Sequence, residues 1–221
     1  MMKENQKIAR TDLAIELAQP LLEAEKLPEG LKVHTQTHGA VEITCVQIGS
    51  PKASQQLQKP CGRYITIQTP PLWNSLLDPQ QEIDAAADCI RSLLPQEGTV
   101  LVVGLGNRYM TADALGSRTA EGVYVTRHLK AQERRTLRPV SAMAPGVLGI
   151  TGVETAEMVR GVVERVQPQA VIAVDALAAM ETKRICTTIQ VTDTGIQPGS
   201  GVGNHRAGLT RETLGVPVIA V

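Results

Sequence analysis

Two aspartates of this chain follow short apolar runs in similar local sequences. Asp113 lies in TADALG, downstream of the run TVLVVGLG, and Asp175 directly follows AVIAV in the segment VDALAA. Runs this short and apolar predict buried strands, and such strands belong to the centre of a parallel sheet. Because ligands of open α/β sheets bind outside the carboxyl ends of the strands, we expect both carboxylates to face one crevice.

Two carboxylates in one crevice can divide the work of amide hydrolysis. Since like charges at short range cannot easily both ionise, one group holds a proton while the other accepts one from an attacking water. The two groups would titrate as a pair, so the sequence does not assign the proton to either. The alternative is that each aspartate caps a helix, because Asp before Ala and Leu is also a good helix start.

A glycine-rich stretch after Asp193 is a second candidate. Its residues Gly199, Ser200, Gly201 and Gly203 could form a substrate-binding loop or a backbone cradle for an anion, or a loop whose glycines only adopt positive φ angles. The triplet Asp-Thr-Gly at the start of this stretch also occurs in pepsin-like proteases. Three residues are too short a match to indicate that all-β class.

Other motifs that would indicate a cofactor or a different chemistry are incomplete. Tyr109 stands where a dinucleotide fingerprint needs its third glycine, and Pro198 replaces the first glycine of a serine-hydrolase elbow. His34 and His38 have the spacing of a zinc helix, but Thr35 occupies the position of the required glutamate. We therefore expect no cofactor and no bound metal. The alternative is a metal site formed by these histidines together with Asp113 or Asp175.

The composition limits the partners and the compartment. The 22 basic residues balance the 22 acidic ones, and without Phe and with one Trp the chain has no set of rings on which bases could stack, so we expect no direct nucleic-acid binding. No apolar run approaches the roughly 20 residues of a membrane helix. Four scattered cysteines and a polar N-terminus indicate reduced thiols in the cytoplasm.

The order of the predicted elements indicates an α/β fold. From Asp78 onward helical patterns alternate with short apolar runs, which predicts a mostly parallel sheet with helices on both faces. Upstream, Val33–Ile48 and Gly62–Thr69 predict a small antiparallel region at one edge. The first helix is expected to begin near Leu13 and to break at Pro20, and a length of 221 residues favours a single domain.

Long blocks of the chain closely resemble the germination protease family of spore-forming bacteria. Because these blocks are long and keep their order, they are far more specific than the short motifs rejected above. The blocks are RTDLAIE (Arg10–Glu16), VVGLGN, TADALG and VTRHL within Val102–Leu129, RPVSAMAPGVLGITGVET (Arg138–Thr155), VIAVDALAA (Val171–Ala179), and TTIQVTDTGIQPGSGVGN with ETLGVPVIAV within Thr187–Val221.

The resemblance implies an endopeptidase of the spore core that degrades small acid-soluble spore proteins at germination, made as a self-processing zymogen and assembled as a homotetramer. It implies an atypical aspartic mechanism with Asp113 and Asp175 as the catalytic pair. It also implies a propeptide arm of residues 1–12, removed between Asp12 and Leu13, before one protease domain of residues 13–221. The family's members cut after an acidic residue that precedes an apolar one.

The resemblance also has limits. The family is longer than this chain, which ends at Val221 where relatives continue, so the sequence predicts a truncated domain. The predicted sheet resembles that of hydrogenase maturation proteases, which bind nickel. A metal-dependent peptidase of that type and a catalytically silent fragment are therefore the two alternatives to the aspartic endopeptidase.

Overall fold

The computed structural model of the chain describes residues 11–71, 79–197 and 207–221. Within these ranges the chain forms one eight-stranded sheet and eight α-helices. The strands are β1 (Leu31–His38), β2 (Val41–Ile48), β3 (Gly62–Gln68), β4 (Val100–Gly104), β5 (Val140–Met143), β6 (Ala170–Val174), β7 (Thr188–Thr192) and β8 (Val218–Ala220). The helices are α1 (Ala14–Glu23), α2 (Pro51–Leu57), α3 (Gln80–Leu93), α4 (Leu115–Glu121), α5 (Ala131–Arg134), α6 (Leu148–Thr151), α7 (Thr155–Val166) and α8 (Arg211–Leu214).

The α/β class is confirmed, and the sheet is mixed. Its order is β1-β2-β3-β7-β8-β6-β4-β5, with parallel pairing from β8 to β5 and antiparallel pairing from β1 to β8. The antiparallel part is therefore about half of the sheet, larger than the small edge region predicted. The reason is β7, which lies between β3 and β8 and pairs with both in the antiparallel direction. The likeness to hydrogenase maturation proteases stays a prediction.

Helices cover both faces of the parallel half, as predicted. Val159 and Val163 of α7 pack in one cluster with Leu101 and Val103 of β4, and Val102 points to the opposite face, where a second cluster lies. Because β4 and β6 are buried on both faces, their residues have little freedom to shift. The parallel half is thus a rigid support for the segments that leave the carboxyl ends of its strands.

The prediction that the first helix breaks at Pro20 is wrong. Helix α1 does not break at Pro20 but continues to Glu23, because its buried residues Ala14 and Ala18 pack on the sheet with the residues around Val46, and this packing outweighs the missing N–H.

The region predicted as strands between 33 and 48 is a hairpin, with β1 and β2 joined at Gly39 and Ala40. The polar stretch that follows it forms α2, which begins at Pro51 behind the Ser50 cap. Among the described helices, none is both long enough and apolar enough to cross a membrane.

Candidate active site

Asp175 is the first residue after β6, at the carboxyl end of a central strand. Its backbone N–H donates to the carbonyl of Val221, 3.0 Å away, and its carboxylate accepts the N–H of Ala176 at 2.9 Å. No helix begins at Asp175, because residues 175–179 have no regular structure. The alternative in which this aspartate caps a helix is therefore wrong.

Asp113 ends a 3-10 turn, Thr111–Asp113, that precedes α4. Its Oδ2 accepts the backbone N–H of Asn107 at 2.7 Å, so the carboxylate is turned back toward the loop that leaves β4. The N-cap of α4 is Ala114, and no side chain caps that helix. The helix-cap alternative is wrong for Asp113 as well.

Direct backbone contact holds the two aspartate segments together. The N–H of Leu105 donates to the carbonyl of Val174 at 2.8 Å, which joins the end of β4 to the residue before Asp175. A Cβ on Gly116 of α4 would lie 2.2 Å from the same Val174 oxygen. Since only a residue without a side chain allows this approach, α4 begins directly against the end of β6, and Asp113 lies just before α4.

Gly106 makes the Asp113 conformation possible. Its φ is +89°, and a Cβ built on it would lie 2.1 Å from the carbonyl oxygen of Asp113 and 2.8 Å from its Oδ1. The hydroxyl of Ser117 stabilises the same loop by donating a hydrogen bond to the Gly106 carbonyl at 3.0 Å. The Asp113 carboxylate is therefore packed over the backbone of the β4 loop.

The electrostatics of Asp175 reflect its buried position and its acidic neighbours. Burial is the largest influence and raises the pKa of Asp175 from 3.8 to about 6, while the Ala176 N–H opposes this rise. The charges of Asp113 and then of Asp12 raise the Asp175 pKa further. Three carboxylates thus share one electrostatic environment at the carboxyl edge of β4 and β6.

Asp12 and Leu13 lie against the loop that follows Asp175. The N–H of Asp12 donates to the carbonyl of Ala178 at 2.8 Å, and its Oδ2 accepts the N–H of Ala178 at 2.9 Å. The Leu13 side chain is only 2% exposed. An acidic residue with its apolar neighbour is therefore held against the loop that follows one of the two aspartates.

The carbonyl oxygen of Asp12 accepts two side-chain hydrogen bonds that sequence reasoning missed. Lys59 Nζ donates to it at 3.0 Å and Gln190 Nε2 at 3.1 Å. Lys59 lies in none of the blocks quoted above, and Gln190 lies within TTIQVTDTGIQPGSGVGN but is separated from Asp12 by 178 positions. No local signal in the sequence identifies either one.

Glu16 is a further residue that the sequence did not single out. Its side chain is fully buried, and its two oxygens accept the N–H groups of Met180 and Glu181 at 2.8 and 2.9 Å. Thr11 also donates to it, and Arg184 lies 3.3 Å away. This carboxylate fixes the loop after Asp175 to the start of α1.

The remaining candidates from the sequence do not join this cluster. Asp193 accepts the backbone N–H and the Nε of Arg63, at 2.8 and 2.9 Å, at the end of β7. His34 and His38 are exposed on the edge strand β1. The glycine-rich candidate loop of Gly199, Ser200, Gly201 and Gly203 lies outside the described residues.

Across residues 11–71, 79–197 and 207–221, no three His, Cys, Asp or Glu side chains converge in a way that could hold a metal ion. The acidic cluster of Asp12, Asp113 and Asp175 has an arrangement that can transfer protons. It combines a carboxyl group of raised pKa with a neighbouring carboxylate.

The chain is similar to a family model and to several curated proteins. Residues 8–221 match the family model described as Germination protease. The chain is 47% identical to the germination protease of Caldanaerobacter subterraneus, over 96% of this chain and 67% of the relative. It is 42% identical to that of Bacillus subtilis, over 98% of this chain and 62% of the relative, and 44% identical to that of Clostridium acetobutylicum, over 96% and 68%.

The chain therefore spans about two thirds of the length of these curated relatives. The matched region includes every residue of the cluster just described. The chain belongs to the germination protease family.

Proposed function

We propose that the chain is the protease domain of an endopeptidase that hydrolyses peptide bonds with Asp113 and Asp175. The observation that carries this proposal is the grouping of both aspartates with the Asp12–Leu13 peptide at the carboxyl ends of β4 and β6. A peptide bond held near a pair of carboxyl groups is the arrangement that amide hydrolysis requires.

In the proposed mechanism the two aspartates have different roles. The Asp175 carboxyl, whose pKa is raised to about 6 by burial, holds the shared proton. The Asp113 carboxylate, which accepts the N–H of Asn107, takes a proton from the water that attacks the carbonyl carbon. When the tetrahedral intermediate collapses, Asp175 gives its proton to the leaving amine. The reaction then needs no covalent intermediate.

The contacts of Asp12 and Leu13 support a preference for an acidic residue before the cut and an apolar residue after it. The backbone N–H of Ala178 donates a hydrogen bond to the carboxylate of Asp12, and the side chain of the next residue, Leu13, is buried. We infer that the Asp12–Leu13 bond is itself cleaved, which separates an arm of residues 1–12 from a domain of residues 13–221. The chain is in this view a zymogen that processes itself.

The names of the curated relatives extend the proposal to the biological substrates. Each of the three is called a germination protease. We infer that the substrates are small acid-soluble spore proteins degraded in the spore core when the spore germinates. We also infer that the whole protein acts as a homotetramer.

The first experiment removes each carboxylate without changing its size. Asp113→Asn and Asp175→Asn should each abolish cleavage of Asp12–Leu13 and of a purified small acid-soluble spore protein, both followed by mass spectrometry. Asp88→Asn, at an exposed site on α3, should cleave like the parent chain. Normal cleavage by both active-site variants would contradict the aspartic mechanism.

The same assay decides between the proposal and its two alternatives. Activity that survives exhaustive chelation excludes a metal-dependent peptidase, whereas loss followed by recovery on adding one metal would replace the aspartate mechanism. If the parent chain produces no fragments, it is a catalytically silent fragment.

A further inference from the structure

We propose that Lys59 and Gln190 stabilise the oxyanion that forms on the cleaved carbonyl, and so act as catalytic residues beside the aspartate pair. This inference rests on the proposed function, because it takes the Asp12–Leu13 peptide to be a bound substrate. Its basis is the pair of hydrogen bonds, 3.0 and 3.1 Å long, that reach one carbonyl oxygen from two separate parts of the chain.

Gln190 is rigidly aligned with the peptide that is cut. It lies in the middle of β7 and is 5% exposed. Its Nε2 donates to the carbonyl of Asp12, while its Oε1 accepts the N–H of Ala14 at 2.8 Å. The amide therefore bridges the Asp12–Leu13 bond, with one contact on each side, and its acceptor oxygen fixes which end of the amide donates to the carbonyl.

Lys59 supplies a positive charge to the same oxygen. It follows α2, where its N–H and its carbonyl are both hydrogen-bonded to Ser54, which fixes its backbone. Burial lowers the pKa of Lys59, while the charge of Asp12 raises it. Because the half-buried ammonium is poorly hydrated, its interaction with a developing negative charge is stronger than it would be in water.

These contacts act at a defined step of the reaction. When water adds to the carbonyl carbon, it loses a proton to Asp113, and the electron pair of the C=O bond moves to the oxygen. That oxygen becomes an anion at the position where Lys59 Nζ and Gln190 Nε2 already donate. As the oxyanion collapses, the C–N bond breaks and the Leu13 nitrogen takes the proton from Asp175. The donors need little rearrangement, which is the condition for effective electrostatic catalysis.

Contacts that only anchored the N-terminal arm would not need both of these donors on one carbonyl oxygen. A backbone carbonyl is satisfied by one neutral donor, whereas this one receives an ammonium and an amide on its two lone pairs. After the arm leaves, the carbonyl of an incoming substrate can occupy the same position. The two residues should therefore affect self-processing and cleavage of an added peptide alike.

The test replaces each donor by a side chain of similar size. Lys59→Met and Gln190→Glu should each slow cleavage of Asp12–Leu13, and lower kcat for a quenched peptide containing Asp-Leu, by about 10²- to 10³-fold, with KM changed little. Lys59→Arg should restore much of the rate, because it returns a cationic donor. Lys52→Met and Gln55→Glu, at exposed positions of α2, are the matched controls and should cleave like the parent chain.

The outcomes separate this inference from the proposal on which it rests. If Asp113→Asn and Asp175→Asn abolish cleavage but Lys59→Met and Gln190→Glu keep the parent kcat, only the oxyanion role is wrong. If kcat falls together with the thermal unfolding temperature and Lys59→Arg restores neither, the two residues are structural and the inference is overturned. If the aspartate variants themselves remain active, the proposed function fails first.

Discussion

At the scale of single residues, Asp175 combines a functional position with a cost in stability. A carboxyl group whose pKa is raised in the folded state favours the protonated form there, and its charge is tolerated less well than in the unfolded chain. Such costs are common where a site is arranged for catalysis rather than for stability. The stability that the folded chain loses in this way therefore depends on pH.

The predicted pH dependence follows from the two pKa values of Asp175, 3.8 in the unfolded chain and about 6 in the folded one. Well below pH 3.8 both states are protonated and the group has no effect. Between about pH 4 and 6 the folded state binds more protons, so its stability falls as pH rises, by at most about 3 kcal/mol in total. Asp175→Asn should remove this contribution and be more stable than the parent chain at pH 7 to 8.

Urea unfolding of the parent chain and of Asp175→Asn at pH 4, 5, 6 and 7 measures this effect. The difference in unfolding free energy between the two should grow with pH and level off above pH 6. Asp88→Asn, whose carboxylate is exposed, serves as the control. Parallel pH curves for the parent chain and Asp175→Asn would contradict the raised pKa.

At the scale of secondary-structure elements, the position of α4 against β4 and β6 determines where Asp113 lies. Gly116→Ala would place a Cβ 2.2 Å from the Val174 carbonyl oxygen, a distance that no real contact allows, so α4 must move. We expect kcat to fall at least tenfold and stability to drop by about 1 to 3 kcal/mol, the usual cost of overpacking. Peptide cleavage and urea unfolding measure the two effects.

Gly161→Ala is the matched control for this substitution. Gly161 lies inside α7, where an added Cβ meets nothing within 4 Å. The change should stabilise the chain by about 0.5 to 1 kcal/mol and leave cleavage unaltered. If Gly116→Ala behaves in the same way, direct backbone packing is not what positions Asp113.

The sequence predicted many elements because their signals are local. The apolar runs that became β4, β6 and β8, and the amphipathic pattern that became α3, depend on residues within one element. The antiparallel direction of β7 and the continuation of α1 through Pro20 depend on packing against distant parts of the chain. These features could not be predicted from local patterns.

At the scale of the whole molecule, the candidate site also combines residues that have a local sequence signal with residues that depend on contacts between distant parts of the chain. The equivalent positions of Asp113 and Asp175 after apolar runs made them candidates from sequence. Lys59 and Gln190 are identified only by their contacts with Asp12, and Glu16 only by its contacts with the loop after β6, across separations of more than 160 residues for Glu16 and Gln190. A buried carboxylate such as Glu16 resembles an ordinary acidic residue in a first helical turn.

The contacts of Asp12 also determine the kinetics of self-processing. The bond from Asp12 to Leu13 lies on the Ala178 loop of its own chain, and Leu13 is almost fully buried, so another molecule has little access to it. We therefore expect cleavage at this bond to be a first-order reaction whose rate constant is unchanged over a hundredfold dilution. Mass spectrometry of samples quenched at intervals gives the rate.

A mixing experiment tests the same prediction independently. An isotopically labelled Asp175→Asn chain, incubated with an excess of the unlabelled parent chain, should keep its Asp12–Leu13 bond while the parent loses its own. The control is a quenched peptide containing Asp-Leu, which the processed parent should cut, because an added peptide is not buried. Cleavage of the labelled chain at a rate proportional to the parent concentration would mean that processing occurs between molecules. The contacts around Ala178 would then describe a resting position of the arm rather than a bound substrate.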